Sequence, residues 1–131
     1  MYRLYRVAIA CLAAIVVLIP AGAQSAVNVD LNTRSFVWTP GAVDATHPAP
    51  LSYNMKCGTT TGVYTIIVAV NPVTGQTTPP TQVPLNAVLT SPGVYFCAVT
   101  AVNQFGESLP SNEVNLNAGY GSAAPTGLGT K

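Results

Sequence analysis

Charge, histidine and cysteine are all scarce in this chain. Only 7% of its 131 residues are charged, His47 is the lone histidine, and there are three cysteines. So sparse a charge set cannot neutralise a run of phosphates, which argues against a nucleic acid partner. Attraction to an anionic membrane surface fails on the same ground. His47 stands between Thr46 and Pro48 in a proline-rich stretch, with no carboxylate or cysteine at metal-ligand spacing. One imidazole without partners makes neither a zinc site nor a catalytic base. Ser91, Ser108 and Ser111 lie in turns with no Gly-x-Ser-x-Gly elbow around them, and there is no phosphate loop and no Asn-x-Ser/Thr acceptor. Nothing in the sequence calls for a cofactor or a metal. No window places apolar residues at helical spacing between caps. The longest apolar run, 7–19, has 13 residues, short of the roughly 20 that span a bilayer.

That run belongs to an N-terminal pattern of its own. Arg3 and Arg6 precede it, Pro20 ends it, and Ala21-Gly22-Ala23 supplies small residues before Gln24. Positive region, apolar core and small-residue site in this order are the pattern of a secretory signal, with 1–23 removed. Retention as a membrane anchor is the rival reading. With the signal removed no stable membrane insertion is expected, and the remainder is placed outside the cytoplasm: secreted, periplasmic or at the cell surface. It carries Arg34, Lys56 and Lys131 against Asp30, Asp44, Glu107 and Glu113. Cys11 leaves with the signal. Cys57 and Cys97 remain, an even pair in an oxidising compartment, and read as one disulfide; two buried free thiols are the alternative.

From residue 27 onward, short segments rich in Val, Ile, Thr, Tyr and Phe alternate with Gly, Pro and Asn, the signature of strands and turns. The pattern predicts strands over 27–31, 34–39, 51–57, 64–70, 83–89, 94–103 and 113–116. Alternation places Phe36 and Trp38 on one face, Tyr53, Met55 and Cys57 on another, and Asn54 and Lys56 opposite these last three. In the sixth strand Tyr95, Cys97, Val99 and Ala101 face inward, so both cysteines point into the core. Seven short strands separated by turn signals roughly every eight to twelve residues predict an all-β, immunoglobulin-like sandwich over 24–117. A barrel is the competing architecture. Residues 118–131, mostly Gly, Ala, Ser, Thr and Pro, read as a flexible tail.

Three stretches carry a family resemblance. Ser35-Phe36-Val37-Trp38-Thr39-Pro40, the spacing of Leu89, Pro92-Gly93 and Tyr95, and the run from Ala101 to Val114 through Phe105-Gly106 together resemble the fibronectin type III family. Residues 53–64, with Gly58-Thr59 and Gly62, are similar to that family's third strand and following turn. The resemblance implies a seven-stranded sandwich in which Trp38, Tyr53, Leu89 and Tyr95 are core markers. It also implies that the Tyr95 hydroxyl bonds back to backbone near Leu89, and that the strands bearing Cys57 and Cys97 are antiparallel neighbours. Two departures stand out. A cysteine pair is not general in the family, and Gln104 to Ser108 occupy the place of an integrin-binding Arg-Gly-Asp. Ala124-Pro125-Thr126-Gly127-Leu128 resembles the opening of a further such domain but is read as tail.

The family is a scaffold, so it speaks to fold more than to function. Two loops, 41–50 and 104–112, should cluster at one end of the sandwich and carry recognition. Asp44, His47, Gln104, Phe105 and Glu107 are their binding candidates, with Phe105 as an apolar loop tip. Asp44 and Glu107 are the only pair offered for glycosidase chemistry. The expected function is therefore an exported, non-enzymatic module that binds, spaces or assembles at or beyond the cell surface. Its partner would be a protein, a cell-surface glycan or another copy of itself. The alternative is a glycan-binding accessory or a small carbohydrate-active enzyme, for which Phe105, Tyr64 and Tyr120 are the available aromatics.

Overall fold

The computed structural model describes residues 24–131; the expected signal segment, Cys11 included, lies outside them. The described residues form eight strands and one 3-10 turn, with no α-helix. The strands are β1 (Val27–Asp30), β2 (Ser35–Val37), β3 (Ser52–Gly58), β4 (Ile66–Val70), β5 (Gln82–Pro84), β6 (Gly93–Asn103), β7 (Gly106–Glu107) and β8 (Val114–Gly119). Among these residues no helix is long and apolar enough to cross a membrane.

The large sheet runs β1-β8-β6-β3-β4, with β7 paired to β6 as a short hairpin arm. The small sheet is β2 paired antiparallel with β5. Alternation decides what each strand buries: in β3, Tyr53, Met55 and Cys57 are buried while Asn54 and Lys56 are not. Phe36 from the small sheet meets Met55, Cys57, Tyr95, Cys97 and Leu116 from the large one in a single core. Leu31, Leu85, Val88 and Leu89 close it. A leucine buried as fully as Leu31 or Leu89, each 1% exposed, contributes about 2 kcal/mol. The arrangement is all-β and sandwich-like, as the alternation predicts.

Seven of the strands fall on the expected segments, and the eighth, β7, lies inside the expected 104–112 turn. Several boundaries differ, among them the start of β4 at Ile66 in place of 64, and three of the differences bear on the core. The segment 83–89 leaves the extended conformation after Pro84 and makes a 3-10 turn over Leu85–Ala87. The Val88 and Leu89 amides bond back to the Leu85 carbonyl at 3.0 and 2.8 Å. Buried Leu85, Val88 and Leu89 stand at i, i+3 and i+4, the spacing of one face of a helical turn; a continued strand would have turned Val88 outward. Trp38 lies just past the end of β2, half-buried, with its ring edge-on to Tyr53 at 5.2 Å between centroids. β8 continues to Gly119, past the expected end at Leu116, because Ala118 is buried between Val29 of β1 and Gly93 of β6. Its small side chain reads as tail composition in the sequence, yet it is what this crowded position accepts.

β1 is an edge strand of the large sheet; its partner is β8 and the pairing is parallel. β3 and β6 are antiparallel neighbours with Cys57 directly opposite Cys97. The two cysteines form a disulfide with Cα atoms 4.2 Å apart. That is the close spacing of a pair that does not exchange backbone hydrogen bonds, where side chains approach most nearly. Both cysteines are buried.

Candidate functional site

Loops 41–50 and 104–112 meet at one end of the sandwich and enclose a groove of about 480 Å³. Its walls are mainly apolar: Val43, Pro48 and Pro50 on one side, Phe105 on the other, Tyr53 at the base. His47, Glu107 and Ser108 add polar atoms. Asp44 and Gln104, the other two binding candidates, do not line it.

Each loop is held by its own bonds. Asp44 closes the first: its Oδ1 accepts from the Thr46 amide, the Thr46 hydroxyl and the His47 amide, each at 2.8 Å. His47 Nδ1 lies 3.0 Å from the same oxygen. The Thr46 hydroxyl and amide, followed by His47, hold the Asp44 carboxyl far below the usual carboxylate range. Asp44 is thus a turn-former, its Oδ1 taken up locally.

The second loop begins as a two-residue hairpin turn, Gln104-Phe105, between Asn103 and Gly106. Gly106 has φ +140, a conformation glycine adopts without strain, and Asn103 Oδ1 accepts the Phe105 amide at 2.8 Å. Beyond it, Pro110 interrupts the ladder, and two serines flank the gap. Ser108 Oγ accepts the Ala101 amide at 2.9 Å and Ser111 Oγ the Val99 amide at 3.0 Å. Phe105 therefore projects, 77% exposed, from a braced hairpin; Val43, 60% exposed, shares the groove lining, whereas Leu109, 88% exposed in the same loop as Phe105, does not.

Glu107 is turned away from any role as a free acid. Its Oε1 pairs with Lys56 Nζ at 2.6 Å, accepts from Asn54 Nδ2 at 3.3 Å and bonds the Thr100 hydroxyl. Lys56 and then Thr100 pull its pKa down to about 2. A glycosidase acid needs a carboxyl raised towards neutrality. Asp44 and Glu107 are both shifted the opposite way, so neither holds a proton to give near neutral pH.

A second carboxylate cluster escaped the sequence reading. Glu113, just before β8, bonds the Thr61 hydroxyl, the Gly62 amide at 2.9 Å and the Tyr64 hydroxyl at 2.7 Å. The Thr61 and Tyr64 bonds lower the Glu113 pKa, while burial and then Glu113 push Tyr64 up to about 12. This ties the β3–β4 turn to the root of β8. Tyr64, one of three aromatics considered for glycan stacking, is thereby half-buried and engaged through its hydroxyl, while Phe105 and Tyr120 stand on separate segments. The sequence signal for the clamp is weak: Glu113 and Thr61 are far apart in the chain, and only the sheet order brings them together.

Tyr95 does as the resemblance implies: buried itself, it donates from its hydroxyl to the Ser91 carbonyl at 2.9 Å. Leu89 and Tyr53 are buried in the core and Trp38 packs against its edge. Among the described residues no three His, Cys, Asp or Glu side chains gather as metal ligands would. No protein-family model, curated protein or solved structure matches the chain.

Proposed function

We propose that this chain is an exported, non-enzymatic binding module of the fibronectin type III kind, whose loop groove seats an apolar segment of a protein partner. One observation carries the reading: two braced loops hold Val43 and Phe105 exposed at the walls of an apolar groove. Exposed aromatic and aliphatic side chains on a rigid support are what protein interfaces use as anchors, since little side-chain or loop freedom is lost on docking. Asp44 Oδ1 and Glu107 Oε1 are each engaged by several local bonds, which supports binding over acid–base chemistry. The antiparallel β3–β6 pairing and the Tyr95 corner support the immunoglobulin-like assignment. The intact disulfide supports export, since such bonds persist in oxidising compartments.

Capture from the producing cell's surface and extracellular fraction tests the reading. Immobilised wild-type protein retains a partner that Phe105→Asp, with an unchanged melting temperature, fails to retain. Equal retention by both, or a hydrolase activity abolished by Asp44→Asn or Glu107→Gln, overturns it.

A further inference from the structure

Among the described residues five strand edges of the two sheets are open to pairing, and four are blunted; β7 has only two residues and ends in Glu107. β1 has four residues and ends in Asp30. β2 has three and follows Arg34, and β5 has three and ends in Pro84. Short strands, charges and proline are the devices by which edge strands resist association. β4 has none of them. Ile66, Ile67, Val68, Ala69 and Val70 form five consecutive uncharged residues, four of them β-branched.

The register shows which backbone groups this edge presents. The close Cys57–Cys97 pair, Cα atoms 4.2 Å apart, directs the Cys57 backbone away from β6 and towards β4. The Thr65 amide indeed donates to the Cys57 carbonyl at 3.0 Å. Ile66, Val68 and Val70, opposite Cys57, Met55 and Tyr53, then bond to β3. The amides and carbonyls of Ile67 and Ala69 point outward, and among the described residues no backbone group pairs with them.

We infer that β4 pairs antiparallel with β4 of a second copy of this chain, across a two-fold axis through Val68. Only that register uses the whole strand. It sets Ile67 opposite the partner's Ala69 and the reverse, so the outward groups of both exchange four hydrogen bonds. It also places a large side chain beside a small one on the outer face, where Ile67 is 57% exposed. A second copy is the fitting occupant because the edge is self-complementary in this register and carries no charge to repel itself. The large sheets of the two molecules would become one continuous sheet. Five paired residues bury less than the ~1,200 Å² of a stable interface, so the dimer is concentration-dependent. The groove at the loop end takes no part, and this association stands or falls separately from partner binding there.

Sedimentation velocity on protein expressed from the whole 131-residue sequence tests the pairing. The wild type shifts from monomer to dimer as its concentration rises to about 1 mM. Ala69→Pro removes an outward amide without touching the β3 ladder, and Ile67→Lys places a charge on each side of the axis. Both variants stay monomeric with wild-type circular dichroism; should the proline variant fail to fold, Ile67→Lys decides alone. A wild type that is monomeric throughout, or a dimer that survives the substitutions, overturns the proposal.

Discussion

Glu113 shows how one exposed-looking carboxylate can govern a turn. In the sequence it is a lone acid between Asn112 and Val114; in the fold it receives three donors from the β3–β4 turn. Its pKa lies below the ordinary 4.5, so the stability it contributes is present above that value and is lost as pH falls through the lowered one. Tyr64 runs the other way. Raised from 10.0 to about 12, it contributes below pH 10 and loses that contribution as pH rises through about 12. Melting temperatures across a pH series are therefore expected to decline on both the acid and the alkaline side of a plateau. Glu113→Gln lowers the plateau, removes Glu113's share of the acid decline and shrinks the alkaline decline between pH 10 and about 12, since Tyr64 no longer faces a carboxylate and keeps only the rise that burial gives it. Superimposable pH profiles for the two proteins would refute this account of the clamp.

The β3–β4 hairpin depends on an element-level contact that propensity does not reveal. Gly58 ends β3 where the chain doubles back, and a Cβ there would lie 1.9 Å from the Val63 carbonyl oxygen. Backbone thus occupies the space any side chain needs. Gly58→Ala is expected to destabilise the protein by roughly 3 kcal/mol, read as a lowered midpoint in chemical denaturation. Gly41→Ala, where nothing lies within 4 Å of the added carbon, serves as the control. A Gly58→Ala midpoint equal to that control would show that the turn relaxes freely. The same hairpin supplies Lys56 and Asn54, which hold Glu107 and so brace the root of the second candidate loop. Stability of this element and presentation of Phe105 are thereby coupled.

At the scale of the whole molecule the disulfide is the main covalent constraint. Cys57 and Cys97 are 40 residues apart, and closing a loop of that length stabilises by about 4 kcal/mol on the chain-entropy model. For a domain of this size, reduction is expected to lower the melting temperature by roughly 20 °C while strand content persists below the new midpoint. Intact mass under denaturing, non-reducing conditions reads two properties at once. Exported protein is expected to begin at Gln24 and to offer no thiol to alkylation. Two alkylated cysteines without reductant would eliminate the bridge, and an intact Met1 would restore the anchor reading of 1–23.

Sequence alone determined the strand segments and their faces, because alternation is a local property: Tyr53, Met55 and Cys57 face inward whatever strand lies beside them. It placed the Pro/Gly-rich loops, and it aimed both cysteines into the core. At 85–89 the helical spacing of Leu85, Val88 and Leu89 was present in the residues, but so short a turn is masked by β-prone neighbours. Beyond the β3–β6 pair that the family resemblance implied, tertiary structure alone decided which strands are neighbours. β1 lies parallel to β8, Ala118 is buried at their junction, Glu107 is captured by Lys56, and Glu113 grips a turn about fifty residues away. Those outcomes depend on pairings between distant segments, which no local periodicity encodes. The two loop carboxylates show the difference most plainly: free candidates in the sequence, they are the acceptors that hold the candidate site together in the fold.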